Sequence, residues 1–256
     1  MTTLEWIEEG INEAGVQERQ FVIKEGRGSV PGIMWTPQLV ENPIPLVLFG
    51  HGGSGHKRND RSLMMGRRFA SISQFAVVAI DGPAHGDRAL PQSESELIDP
   101  MKVLEDIGVD AAIDGMVEDW CATLDQVTTM EFIKTDQVAY VGFSMGTRFG
   151  LPFVAAAGDR LRCAVLGKNA LKPIDESRMA NSAGDRFKKD APNIHVPVLF
   201  HMQWDDELFP RESQCELFDL IGSEDKRLIS YPGPHGRANP ESINQWCRFV
   251  EGHLRG

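Results

Sequence analysis

Short apolar runs alternate with amphipathic stretches along nearly the whole chain. Eight runs have the length and composition of strands: Phe21–Lys24, Gly32–Trp35, Pro45–Phe49, Phe75–Ile80, Val138–Val141, Cys163–Leu166, Val196–His201 and Arg227–Tyr231. Some are apolar without a break, such as Leu46-Val47-Leu48-Phe49 and Val77-Val78-Ala79-Ile80. Unbroken apolar strands are buried on both faces, which is the mark of a parallel sheet covered by helices. Helical spacing fills the intervals near residues 58–73, 111–133, 145–157, 175–189, 211–221 and 239–253, and it predicts a short N-terminal helix over 4–14. Such alternation predicts an α/β fold. The first two strands have no helix between them and predict an antiparallel hairpin, with Gly26-Arg27-Gly28 near its turn.

No repeat, low-complexity tract or linker interrupts the 256 residues, so the expectation is one α/β domain over 1–256. Two connections are long, 82–110 and 167–193. Both leave the carboxyl ends of strands, where an open parallel sheet places its ligand crevice. Each is a candidate pocket wall or lid, or plain surface.

Composition narrows the function classes. The apolar share of 41% supplies a sizeable core. A net charge of −11 opposes binding to nucleic acid or an anionic membrane. No apolar run approaches the length of about 18 residues that a membrane-spanning helix needs. The start, Met1-Thr2-Thr3-Leu4-Glu5, lacks the basic and apolar regions of a secretion signal. The four cysteines, Cys121, Cys163, Cys215 and Cys247, form no CxxC pair and lie in predicted helices or a strand. They are expected to be reduced packing residues of a cytoplasmic protein, with no disulfide or zinc framework.

The chemistry concentrates after the strand ending at Val141. There Gly142-Phe143-Ser144-Met145-Gly146 matches the G-x-S-x-G pattern between a strand and a helix. The sharp turn lifts the serine hydroxyl clear of the sheet, and the glycines let strand and helix approach without a Cβ clash. A serine hydroxyl is a poor nucleophile until a histidine takes its proton, and a carboxylate must hold that histidine's tautomer. On such a sheet the order is Ser, acid, His. His235, in the loop Tyr231-Pro232-Gly233-Pro234-His235-Gly236, directly follows the last strand and is the expected base. His195 lies at the wrong edge, His201 ends an apolar strand as a core residue, and His253 is in the terminal helix. The acid belongs to Asp205-Asp206-Glu207 after Val196–His201. Asp206 is preferred on its Asp-x-x-x-Pro spacing to Pro210; Asp205 is the alternative and Glu207 the third option.

The glycine-rich loop Gly50-His51-Gly52-Gly53-Ser54-Gly55 leaves the strand Pro45–Phe49 and is suited to aim backbone N–H groups at an anion. With a nucleophile elbow elsewhere, its role is that of an oxyanion hole: Met145 N–H is the first expected donor and Gly53 N–H the second. His51 is expected to brace the loop. The same loop opens like a phosphate-binding motif, but His56 stands where the lysine is required. No HExxH or convincing histidine–carboxylate cluster points to a metal. The cations Lys57, Arg58, Arg61, Arg67 and Arg68 read as a solvated helix face, or alternatively as a lure for an anionic substrate. Arg88 and Arg148 are candidate carboxylate grips or structural ion pairs. Phe143, Met145 and Trp204 are candidate pocket residues.

Together, His51-Gly52-Gly53, Asp81-Gly82-Pro83-Ala84-His85-Gly86, Gly142 to Gly146, Asp206 and His235 make the chain resemble the α/β-hydrolase superfamily over nearly its full length. It looks most like dienelactone-hydrolase-like proteins and small bacterial esterases. The resemblance implies a mostly parallel sheet of about eight strands with an antiparallel second strand, helices on both faces, and a small or absent cap. It also implies a Ser-His-Asp triad and no cofactor. Dienelactone hydrolases carry a cysteine nucleophile, and Ser144 here shifts the expectation from lactone to ester. The expected activity is a serine hydrolase cleaving a small-molecule acyl ester, with no nucleic-acid or membrane partner. A thioesterase for acyl-CoA, an amidase or peptidase, and a non-catalytic ligand-binding homologue are the rivals.

Overall fold

The computed structural model describes residues 2–7, 10–13, 15–25, 28–89, 100–175 and 183–255. Its contacts group into two compact units, Met1–Thr135 and Asp136–Gly256.

The first unit is built on β3 (Val16–Glu25) and β4 (Gly28–Pro37), an antiparallel pair in register from Val16↔Pro37 to Glu25↔Gly28. This is the expected hairpin; Gly26 and Arg27 of its turn lie outside the described residues. β4 then pairs antiparallel with β6 (Ala76–Ile80), and β6 pairs parallel with β5 (Ile44–Gly50). Every residue of β6 and all but the first of β5 are buried, which is why both runs are apolar without alternation. Helix α1 (Asp60–Arg68) starts at Asn59, whose side chain accepts the Ser62 N–H, and ends with Arg67 and Arg68 at its negative pole. After the described turn Gly86–Arg88, α2 (Pro100–Ile107) leads into α3 (Val109–Val127). The buried side of α3 carries Ile113, Met116, Trp120, Leu124 and Val127, three or four residues apart. Residues 90–99, the middle of the 82–110 connection, lie outside the described residues.

The predicted N-terminal helix is absent. Its described residues form β1 (Thr3–Trp6) and β2 (Ile11–Glu13), both antiparallel to β3. Leu4, Ile7 and Ile11 have helical spacing, but Leu4 and Trp6 equally fit the period of a strand. A distant partner decides: Trp6 meets Phe21 edge-on at 6.0 Å and carries the Arg19 guanidinium 4.0 Å above its ring.

In the second unit β7 (Ile133–Gly142), β8 (Cys163–Gly167), β9 (Val198–Gln203) and β10 (Lys226–Tyr231) run parallel in that order. Helix α4 (Met145–Ala157) follows β7 and is buried along almost its whole length. Helices α5 (Gly184–Asp190), α6 (Arg211–Leu220) and α7 (Pro240–Arg255) complete the unit. Of the 167–193 connection, 176–182 lie outside the described residues. Among the described residues no helix is long and apolar enough to cross a membrane.

Candidate active site

β7 delivers Ser144 on a backbone that few residues tolerate, φ 58° and ψ −116°. Gly142 permits the turn: a Cβ there would stand 2.7 Å from the Gly146 carbonyl oxygen and 2.8 Å from the Tyr140 ring. The Ser144 N–H donates to the Gly167 carbonyl at 3.0 Å, while the Ser144 carbonyl accepts the N–H groups of Thr147 and Arg148, both at 2.9 Å. Between strand and helix, the Thr147 hydroxyl accepts the Gly167 N–H at 2.8 Å, with the Gly142 and Gly167 carbonyls in reach to receive its proton. The strained turn is thus held from both sides.

His235 sits between Ser144 and Asp206. Its Nε2 is 2.8 Å from Ser144 Oγ, and its Nδ1 is 2.9 Å from Asp206 Oδ2. The Asp206 carboxylate is wholly buried. Its other oxygen accepts the N–H groups of Leu208 and Phe209 at 2.9 and 3.1 Å. An ionised carboxylate can only accept, so the nitrogen facing Oδ2 carries the proton, and this fixes the ring with Nδ1–H as donor and Nε2 as acceptor. The neighbouring acids take other tasks: Asp205 accepts the Gly233 N–H at 2.9 Å and Glu207 accepts the His235 N–H at 2.8 Å. All three carboxylates therefore shape the histidine loop, and only Asp206 meets the ring.

A buried chain behind the loop has no sequence signature. The Trp246 indole N–H donates to His201 Nδ1 at 3.2 Å, and His201 Nε2–H donates to Gln203 Oε1 at 2.8 Å. Gln203 Nε2 then reaches the Gly233 and Pro234 carbonyls, both at 3.2 Å. His201, expected as a core residue, is one; burial pushes its pKa down to about 4, keeping the ring a neutral relay.

Met145 is the first residue of α4, so its N–H is one of the helix-start donors with no intrahelical acceptor. Gly53 belongs to the first unit. There His51 Nε2 accepts the Gly82 N–H at 2.9 Å and Nδ1–H donates to the Gly52 carbonyl at 2.9 Å. The Gly52 carbonyl and the Gly53 N–H share one peptide plane, so His51 braces the expected donor. Burial lowers the His51 pKa to about 4, which preserves its accepting nitrogen.

Within the basic cluster, Lys57 departs from the expected solvated face. Lys57 is buried, with its ammonium 2.7 Å from Asp81 and 2.6 Å from Asp87, and Arg58 meets Glu18 at 2.8 Å. These two cations follow the glycine loop but pair with the buried carboxylates Asp81 and Glu18 and with the exposed Asp87. Arg88 is a structural pair with Asp119 at 2.6 Å. Phe143 is a core residue instead of a pocket wall, packed 4.2 Å from Trp246 between ring centroids. Trp204 is half exposed beneath the Arg211 guanidinium at 4.6 Å.

The buried neutral histidines set a pH dependence. Unfolded, both rings take up protons near pH 6.5; folded, near 4. Between those values the unfolded state binds more protons, so the contribution of these two rings to stability is constant above about pH 6.5 and falls as pH drops. Each ring removes about 3 kcal/mol by pH 4. Urea melts at pH 7 and pH 4 should differ by at least that amount, and equal unfolding free energies would contradict the buried neutral assignment.

The order of strands within each unit, the antiparallel β4 and the elbow between β7 and α4 define the α/β-hydrolase fold, and the chain is a member of the α/β-hydrolase superfamily. It is similar over 98% of its length, and 99% of the other chain, to a cold-adapted esterase from an Arctic intertidal metagenomic library, with 28% identity and a TM-score of 0.82. An acetyl xylan esterase from Paenibacillus sp. R4 shares the fold at 17% identity and TM-score 0.76, over 99% of this chain and 89% of that one. So does an S-formylglutathione hydrolase from Agrobacterium tumefaciens, at 15% identity and TM-score 0.67, over 98% and 99%. No family model matches the sequence, and a search of the curated proteins finds no relative.

Proposed function

We propose that the protein is a serine hydrolase that cleaves carboxylic esters of small acyl groups through an acyl-enzyme on Ser144. The observation that carries this reading is the continuous hydrogen-bonded series Ser144 Oγ, His235, Asp206, at 2.8 and 2.9 Å. Its likeness to a cold-adapted esterase supports the ester as substrate. Of the cations after the glycine loop, Lys57 and Arg58 are paired with carboxylates of the chain, which weakens the argument for a CoA-sized anion.

In the proposed reaction Ser144 Oγ attacks the acyl carbonyl carbon as its proton passes to His235 Nε2. Asp206 stabilises the imidazolium without taking its proton. The Met145 N–H, with Gly53 assigned as second donor on sequence grounds, holds the oxyanion. His235 gives its proton to the departing alkoxide. Water, deprotonated by His235, then attacks the acyl carbon; the acyl–Oγ bond breaks, His235 returns the proton to Ser144 Oγ, and the carboxylic acid leaves. Residues 1–256 act in this reading as one α/β-hydrolase domain that needs no cofactor. The four free cysteines favour the cytoplasm.

The test is turnover of 4-nitrophenyl acetate together with intact-mass analysis after a fluorophosphonate. Turnover and a single covalent adduct on Ser144 are expected. A folded protein that neither turns over nor takes the adduct would refute the reading and favour a ligand-binding homologue.

A further inference from the structure

The nucleophile and its base come from chain segments 91 residues apart, and the loop that carries His235 is rich in glycine and proline. Something must set the distance between them. Three consecutive residues at the end of β8 touch both. The Gly167 carbonyl accepts the Ser144 N–H at 3.0 Å. The Asn169 amide donates from Nδ2 to the Ser144 carbonyl at 3.0 Å, and its Oδ1 accepts the Ala170 N–H at 2.9 Å. Between them, Lys168 turns the other way. Its N–H donates to the His201 carbonyl at 2.8 Å, and its ammonium donates to the carbonyls of His235 and Arg237, the former at 3.1 Å.

The placement is unusual for a lysine. The side chain is buried to 1% exposure, and the backbone has φ 51°, a left-handed conformation that Cβ-bearing residues seldom adopt. Gly167 before it has φ 145°, and a Cβ there would stand 2.0 Å from the His201 carbonyl oxygen. The chain therefore leaves β8 along a path that no ordinary dipeptide follows, and the path ends with one side chain on each partner of the proton transfer. An ammonium carries three donors and is stable in a buried site only when they are accepted. Here it grips carbonyls two residues apart in the histidine loop and so fixes the loop's curvature around Gly236.

Resting on the hydrolase reading above, we infer that Lys168 is a positioning residue: its buried ammonium holds the His235 loop while Asn169 holds the elbow, and together they set the Ser144–His235 separation. Lys168 touches neither substrate nor the reacting atoms. Its effect passes through the imidazole. The described start of the 167–193 connection thus acts as a clamp in this reading.

Lys168→Met keeps the length of the side chain and removes the donors. With 4-nitrophenyl acetate, kcat is expected to fall about 100-fold, the scale of a displacement near 1 Å, while KM changes less than about twofold. The low-field proton resonance of His235 Nδ1–H, sheltered by Asp206 in the wild type, is expected to broaden or vanish. A folded Lys168→Met with wild-type kcat overturns the assignment. So does a loss of activity that merely tracks the folded fraction with the low-field resonance intact. Should Lys168→Met fail to fold, Asn169→Ala decides: about tenfold lower kcat at unchanged KM supports the clamp, and wild-type kcat overturns it. Wild-type protein inert to both 4-nitrophenyl acetate and the fluorophosphonate overturns the hydrolase reading, and this assignment with it. Wild-type turnover with unaffected variants overturns this assignment alone.

Discussion

Ser144→Ala lowers kcat for ester hydrolysis by about a million-fold, equivalent to about 8 kcal/mol of transition-state stabilisation. The loss is this large because the hydroxyl has no substitute in the proposed chemistry: without Oγ there is no acyl-enzyme, and His235 has no proton to take. Fold stability is expected to change little. The Ser144 hydroxyl does not cap α4, its polar contact is with His235 Nε2, and an alanine adopts the strained φ 58° no worse than a serine. Thermal melts of the two proteins should therefore nearly superimpose, while the fluorophosphonate adduct disappears. Persistence of the adduct, or of more than a thousandth of the activity, would place the nucleophile elsewhere.

Asp206→Asn is expected to cost about ten-thousandfold in kcat, the scale found when a triad's orienting acid becomes an amide. The local hydrogen bonds explain why. Oδ1 is engaged by the Leu208 and Phe209 N–H groups. An asparagine keeps those bonds by leaving its carbonyl oxygen in place, which turns its NH2 toward His235 Nδ1. Two donors cannot face each other, so the imidazole changes tautomer. Nε2 then carries the proton and points it at Ser144 Oγ, where an acceptor is required. The neighbouring acids give the control. Asp205 and Glu207 bond to the backbone N–H groups of Gly233 and His235, so Asp205→Asn and Glu207→Gln each disturb only the loop. Their expected cost is about tenfold, the scale of one hydrogen bond. Kinetics on the three variants separate the roles; an Asp205→Asn loss as large as that of Asp206→Asn would reassign the orienting acid.

The α/β class, the elbow and the histidine loop were legible along the chain because each depends on local patterns. Unbroken apolar runs such as Val77 to Ile80 mark strands buried on two faces. The glycines flanking Ser144 mark a turn where a Cβ has no room. Pro and Gly around His235 mark a loop. The choice of Asp206 over Asp205 rested on spacing to Pro210; in the structure the Leu208 and Phe209 N–H groups hold one oxygen of the Asp206 carboxylate and His235 Nδ1 faces the other. Other features were not local. The helix expected over 4–14 is a pair of edge strands in its described part, since Trp6 finds Phe21 and Arg19 only after β3 is in place. Lys57 looked like the start of a solvated face, yet it is buried against Asp81 and Asp87.

The sequence by itself thus determined the α/β alternation beyond the N-terminal segment and pointed to the side chains of the proposed chemistry, because periodicity, turn residues and motif spacing act within a few residues of one another. Only the tertiary structure decided how those side chains are supported. Trp246, His201 and Gln203 behind the loop, and Gly167, Lys168 and Asn169 between loop and elbow, bond across long stretches of chain. A hydrogen bond requires its donor and acceptor within about 3 Å, and no pattern along the chain encodes which distant carbonyl will arrive there.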